Sequence, residues 1–247
     1  MTKTVISLFS GAGGMDIGFE NAGFRTAVAV ELDTSCCDTL RTNFPTLPVI
    51  QGDISNISSA EILRAANLKP RECGVVIGGP PCQSFSLAGK RMGMDDPRGK
   101  LILEFARVVR DVIPKTFVLE NVKGMANWAG GKAIDAIVNE FKEPIIYDGE
   151  SYTYELSYKV LKASDFGVPQ HRERLFIVGS RVGKKFSFPE PTHQALDPLA
   201  GDLFKTNLKP HKTVGDAILT LPPANPPSEM AQRISRTIKS RIEKHGY

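Results

Sequence analysis

Short apolar runs recur along the chain, and most are followed by a turn and then by apolar positions at helical spacing. Val5-Ile6-Ser7-Leu8-Phe9 is the first. It passes through Ser10-Gly11-Ala12-Gly13-Gly14 into Met15 to Gly23, where the spacing predicts a helix closed by glycine. Thr26 to Val30 predicts a second strand ending at Glu31, Thr34 to Asn43 a helix, Val49-Ile50 a short strand and Ser58 to Ala66 a helix. Val75-Val76-Ile77 reads as a buried strand. Gly99 to Val112 reads as a helix with Leu101, Phe105, Val108, Val109 and Val112 on one stripe, and Thr116 to Leu119 as the next strand. Gly131 to Phe141 predicts a helix, Tyr152 to Leu161 alternates like a strand, and Leu175 to Gly179 is one more buried run. Strands that alternate with helices predict an α/β fold, with a mostly parallel sheet and helices on both faces.

The texture changes after Ser180. Prolines crowd Phe186 to Pro227, broken by a short helical stretch at Val214 to Leu219. Ser228 to Lys244 then reads as a basic amphipathic helix, with Met230, Ile234, Ile238 and Ile242 in steps of four. The expected organisation is a catalytic and cofactor-binding domain over 1–185, followed by a Pro-rich wrapping segment and the basic helix over 186–247.

Composition narrows the class. With 247 residues, 41% hydrophobic and 23% charged, the chain has the make-up of an ordinary globular protein. No apolar run is long enough to span a bilayer, and no signal-peptide pattern opens the chain, so no membrane partner is expected. Cys36, Cys37, Cys73 and Cys82 lack C-x-x-C spacing and the four histidines are scattered, which argues against a disulfide framework or a metal site and for a reducing cytoplasm. The net charge of +4 permits a nucleic-acid partner without demanding one.

The candidate chemistry gathers at strand ends. Strand, glycine turn and helix open a nucleotide-binding βαβ unit, and Glu31, 20 residues after Gly11, is placed to accept ribose hydroxyls. Asp53 would lie on the same edge, where it could receive an adenine amino group or simply cap the following turn. Gly78-Gly79-Pro80-Pro81 stiffens the exit of a buried strand and delivers Cys82, a nucleophile or a small buried apolar residue. Glu120 follows the next strand, either to carry a proton or as an exposed acid at a strand end. Arg172 and Arg174, two apart on a strand, would share one face, either as an anion or carbonyl-oxygen site or as an exposed salt-bridged edge. The unpatterned stretch from Ser86 to Gly99, with Lys90, Arg91 and Arg98, could meet phosphates.

Together these motifs resemble the cytosine-5 DNA methyltransferases. The resemblance rests on Phe9 to Gly14, Glu31, Gly52-Asp53-Ile54, Gly79-Pro80-Pro81-Cys82-Gln83, Glu120-Asn121-Val122 and Gln170-His171-Arg172-Glu173-Arg174, in that order. It implies a Rossmann-like, S-adenosylmethionine-dependent methyltransferase fold that yields S-adenosylhomocysteine and methylates carbon 5 of a cytosine flipped from duplex DNA. By resemblance Cys82 is the nucleophile, Glu120 holds or protonates ring nitrogen 3, Arg174 binds the carbonyl oxygen and Arg172 supports the Cys82 loop. Phe9, Ser10, Gly11, Ala12, Gly14, Glu31, Asp53, Ile54, Pro81 and Leu101 would form the cofactor site. Gln83, Ser86, Lys90, Arg98, Asn121 and Gln170 would contact base and DNA. The family's target-recognition domain and final cofactor motif are not found in this sequence. The resemblance therefore implies the catalytic subunit of a split bacterial restriction-modification enzyme, with a second subunit as partner, or a fragment. Methylation of transfer RNA, a silent DNA-binding relative and a nicotinamide dehydrogenase are the alternatives.

Overall fold

The computed structural model describes residues 3–81, 100–127, 132–183, 185–195, 207–219, 221 and 228–245. The chain forms two compact units, Met1–Leu161 with Glu173–Pro189, and Lys162–Arg172 with Glu190–Tyr247.

The first unit is built on a sheet whose strands are β1 (Thr4–Leu8), β2 (Arg25–Glu31), β3 (Val49–Gln51), β4 (Val75–Gly78), β5 (Thr116–Val122), β8 (Glu155–Lys162) and β9 (Glu173–Ser180). Their order is β3-β2-β1-β4-β5-β9-β8. The first five run parallel, and β9 lies antiparallel to β5. The helices are α1 (Gly14–Asn21), α2 (Thr34–Asn43), α3 (Ser59–Ala66), α4 (Lys100–Val112), α5 (Gly124–Asn127) and α6 (Lys132–Lys142). A separate hairpin pairs β6 (Ile145–Tyr147) with β7 (Glu150–Tyr152). The fold is thus a mostly parallel, Rossmann-like α/β sheet.

Alternation along the strands explains the two layers. Val76, Phe117, Leu119 and Ile177 face one side, where Ile102 and Phe105 of α4 and Ile137 of α6 complete the main core. Val5, Val75 and Ile77 face the other, against Met15 and Phe19 of α1. Close packing demands glycine twice: a Cβ at Gly78 would sit 2.9 Å from the Leu8 carbonyl and from Phe105, and one at Gly179 only 2.1 Å from Phe117.

Two expectations change. The alternating stretch from Tyr152 to Leu161 is not one strand: β7 ends at Tyr152 and β8 begins at Glu155. Tyr154 in the break is buried and donates its hydroxyl to the Pro114 carbonyl at 2.6 Å, which tertiary packing rather than period decides. Arg172 does not share a strand with Arg174, because β9 starts at Glu173. The Arg172 carbonyl instead accepts from Ala163 N–H at 2.8 Å.

The second unit holds a 3-10 turn at Ala163–Phe166, β10 (His193–Gln194) paired in parallel with β11 (Lys209–Pro210), α7 (Val214–Ile218) and α8 (Glu229–His245). Thr213 and Asp216 form a reciprocal capping box on α7. His211 Nε2 lies 3.0 Å from Asp165 Oδ1, and His171 Nδ1 lies 3.2 Å from Ser164 Oγ. Neither arrangement was legible from four dispersed histidines.

Candidate active site

A cleft of about 570 Å³ opens at the C-terminal ends of β1 to β4 and is lined by residues that include Phe9, Glu31, Asp53, Ile54, Pro81 and Leu101. Its volume lies in the range of small-molecule sites, roughly 300–1,000 Å³. Open parallel sheets bind ligands at this edge, because the loops that leave the strands diverge there.

The loop after β1 is shaped by its backbone. Phe9 has φ 53°, Gly11 φ 54° and Gly13 φ 86°. Phe9 thus holds a left-handed conformation that non-glycine residues rarely adopt, at the mouth of the cleft. A Cβ at Gly13 would press on Leu40 at 3.0 Å and Phe44 at 3.2 Å. At Gly11 and Gly14 no described protein atom lies within 4 Å of such a Cβ. A ligand could therefore approach the backbone directly at those two positions. Ser10, Gly11 and Ala12 of this loop and Gly14, which opens α1, are not among the described residues that line the cleft. Ser10 donates from its hydroxyl to Ser7 Oγ at 2.9 Å, an internal brace.

Glu31 joins the loop to β2. Its Oε2 accepts from Gly11 N–H at 2.7 Å, and Oε1 accepts from the N–H groups of Leu32 and Asp33 at 2.8 and 2.9 Å. The side chain is thereby oriented by three backbone donors before any ligand arrives. Asp53 lines the cleft and also caps the turn after β3, accepting from Ser55 N–H at 2.9 Å. The capping role is therefore present, and the carboxylate also borders the cleft. Gly52 and Gly79, quoted in the motifs without a role, also line the cleft, as do Val30, Leu32, Asp33 and Thr34, which the sequence did not mark as site residues. Their adjacency to Glu31 and Asp53 was the available signal.

Glu120 and Arg174 meet beside this cleft. Opposition of Glu120 to Phe176 and of Val122 to Arg174 puts both charged side chains on one face, as diagonal neighbours. Arg174 Nε donates to Glu120 Oε1 at 2.7 Å, and the two side chains are only 23% and 22% exposed. Gly79 lies directly against the pair: a Cβ there would stand 3.0 Å from Glu120 Oε2. The carboxylate is thus seated on the backbone that leads through Pro80 and Pro81 to position 82.

Asn121, expected among the DNA contacts, is instead 2% exposed. Its Nδ2 donates to the Pro80 carbonyl at 3.1 Å, and its Oδ1 accepts from Val122 N–H at 2.8 Å. A side chain so enclosed positions the Pro80 turn and is not presented to a duplex. Arg172 and Gln170 are exposed and belong to the second unit. Cys82, Gln83, Ser86, Lys90 and Arg98 lie outside the described residues.

The other cysteines are poor nucleophiles. Cys73 is buried and its thiol is pushed up to about 12 by desolvation. Burial also raises the thiols of Cys36 and Cys37. All three are free, and among the described residues no group of three or more metal-ligating side chains comes together.

Comparison with known proteins gives a consistent picture. The model of the C-5 cytosine-specific DNA methylases matches residues 3–241. The chain is 66% identical over 248 residues to the type II methyltransferase M.AquIA of Picosynechococcus sp., covering both chains fully. It is 43% identical to M1.HphI of Haemophilus parahaemolyticus, covering 91% of this chain and 54% of that one. Against M.SacI of Streptomyces achromogenes the identity is 40%, over 76% and 50% of the two chains. The chain therefore spans the whole of one such relative and about half the length of others. Among solved structures, a DNA modification methyltransferase encoded within an E. coli prophage superposes with TM-score 0.65 at 30% identity, covering 89% of this chain and 55% of that one. The S. pombe Dnmt2 methyltransferase, at 20% identity and TM-score 0.54 over 75% and 51% of the two chains, shares the fold.

Proposed function

The chain belongs to the C-5 cytosine-specific DNA methylase family, and from that premise we propose that it transfers a methyl group to carbon 5 of a cytosine flipped out of duplex DNA, through a covalent bond to Cys82. The observation that carries the reading is the Arg174–Glu120 ion pair seated on Gly79, three residues before Cys82 and beside the cleft.

The residue types suit the reaction. Carbon 5 of cytosine is a weak nucleophile. Addition of the Cys82 thiolate to carbon 6 turns the ring into an enamine whose carbon 5 can attack an electrophile. Glu120 would hold or protonate ring nitrogen 3, so negative charge does not build up in the base. Arg174 would donate to the carbonyl oxygen at carbon 2 while keeping the carboxylate in place. Arg172 would support the Cys82 segment. Once carbon 5 carries the methyl group, loss of its proton expels the thiolate and frees the product. The base must leave the stack for a side chain to reach carbon 6.

S-adenosylmethionine would supply the methyl group as an electrophilic sulfonium substituent and leave as S-adenosylhomocysteine. The cleft suits such a molecule: Glu31 is oriented for a ribose, Asp53 and Ile54 border the place for an adenine, and the open backbone at Gly11 and Gly14 admits close approach. Phe9, Pro81 and Leu101 would add apolar contact.

We further propose a bacterial, cytoplasmic enzyme that needs a second polypeptide for target recognition. The half-length coverage of several relatives supports that need.

The test is covalent trapping on duplex DNA that carries 5-fluorocytosine, with S-adenosylmethionine and the polypeptide encoded by the adjoining reading frame. Fluorine cannot depart as a proton does, so elimination is blocked. A denaturing gel should show an adduct with the wild-type chain and none with Cys82→Ser. An adduct on transfer RNA but not on DNA would replace this reading with RNA methylation. No adduct on either would leave a binding module.

A further inference from the structure

Among the described residues, nothing covers one apolar face of helix α8. All its described side chains from Glu229 to Lys244 are exposed except Ile242, which is half-buried. Among them Met230 is 68%, Ile234 51% and Ile238 36% exposed. These residues follow one another in steps of four and form a continuous apolar ridge. An isolated helix of about this length is marginal in water, so a helix with an exposed apolar ridge gains stability from a partner packed against that ridge.

The composition of the helix restricts what that is. Arg233, Arg236, Lys239, Arg241 and Lys244 stand against only Glu229 and Glu243. Two copies of α8 would bring five cations against five cations, which opposes self-association. DNA could neutralise the cations but would leave the isoleucines in water. A helix of another polypeptide that carries its own apolar ridge, flanked by Asp and Glu, meets both needs. Several relatives have about twice this length, so the half they carry beyond the matched region is the natural bearer of such a helix. The step of four also sets the geometry. A ridge along i, i+4, i+8 packs into the equivalent groove of a partner at a crossing angle of about −50°, not along a heptad seam.

We propose that the Met230–Ile234–Ile238–Ile242 ridge of α8 is the docking surface for an acid-flanked helix of the second polypeptide. This inference rests on the two-polypeptide reading given above.

The test uses the full chain and the tagged protein encoded by the adjoining reading frame. Affinity is measured by calorimetry, and association rate by stopped flow at several salt concentrations, for wild type, for Ile234→Ser with Ile238→Ser, and for Arg233→Glu with Arg241→Glu. The ridge variant should bind about 100-fold or more weakly, because two aliphatic side chains lose their burial. The charge-reversed variant should associate about tenfold more slowly at low salt, an effect that fades as salt rises. S-adenosylhomocysteine affinity, read at the cleft of the other unit, should be unchanged in both and reports that the first unit is folded, while unchanged helical circular dichroism reports that α8 is retained. Undiminished binding by the ridge variant overturns this inference and leaves the two-polypeptide reading standing. So does a ridge variant that abolishes a homodimer, or a charge-reversed variant that loses DNA affinity alone. No binding by the wild-type chain overturns both.

Discussion

At Gly79 a single missing methyl group decides where a carboxylate sits. A Cβ there would lie 3.0 Å from Glu120 Oε2, tighter than ordinary contact, and Arg174 holds the carboxylate from the other side. Gly79→Ala should displace Glu120 by a fraction of an ångström while leaving the core untouched. A misplacement of about 1 Å costs on the order of 100-fold in rate, so methyl transfer should fall by about 10- to 100-fold with little change in melting temperature. Equal losses in both would reassign Gly79 to the fold. Asp16 makes the opposite kind of prediction. It is buried in the first turn of α1, and neither carboxylate oxygen has a hydrogen-bond partner among the described residues. Burial raises its carboxyl above the ordinary 3.8; the nearby Ser7 and Thr26 hydroxyls offset part of the rise without reaching hydrogen-bonding geometry. The folded chain therefore keeps a proton that the unfolded chain has lost. Asp16 costs stability as pH climbs from the ordinary carboxylate value through the raised one, and the whole cost is present above that. Asp16→Asn should raise the melting temperature at pH 7, with the gain shrinking as pH falls from the raised value towards the ordinary one and absent below it. A gain independent of pH would exclude ionisation as the cause.

At the scale of elements, Arg107 ties α4 to the segment that carries Asp53. Its Nη2 donates to the Ile54 and Ile57 carbonyls at 3.1 and 3.0 Å, Nη1 donates to Ser59 Oγ at 2.8 Å, and Nε pairs with Glu104 at 2.7 Å. Arg107→Ala leaves these carbonyls without their charged donor. The loss should be about 1–3 kcal/mol, seen as a lower urea midpoint at unchanged slope, with weaker S-adenosylhomocysteine binding because Asp53 and Ile54 line the cleft. Arg107→Lys should recover only part of it, since one ammonium cannot serve both carbonyls and the hydroxyl. An unchanged midpoint would show that water replaces the guanidinium. The elements themselves were largely legible: the helix from Thr34 to Asn43 has the bounds its pattern predicts, because Asp33 caps its start. Period could not reveal that β7 and β8 are separate strands, because Tyr154 between them is held by the distant Pro114 carbonyl. Nor could it show that Arg172 precedes β9 while Arg174 lies within it.

For the whole molecule, the described residues that line the cleft belong to the first unit. S-adenosylhomocysteine at about 100 times its dissociation constant should stabilise that unit by about 2.7 kcal/mol. Hydrogen exchange should show the added protection around β1 to β4, and α8 should keep its exchange rates. Equal protection of both units would mean that they unfold together. Addition of the second polypeptide should protect α8, an effect independent of the cofactor.

The order of apolar runs and glycine turns by itself determined a doubly wound α/β chain, because alternation and turn chemistry are local properties written in consecutive residues. The same local record placed Glu31, Asp53, Glu120 and Arg174 at strand ends. What only the tertiary structure decided is which groups meet. Strand order, the antiparallel entry of β9 beside β5, the pairing of Glu120 with Arg174, the anchoring of Glu31 on Gly11 and the burial of Asn121 against Pro80 join residues distant in sequence. Such contacts depend on how strands pair and layers pack, and no neighbouring residue encodes them.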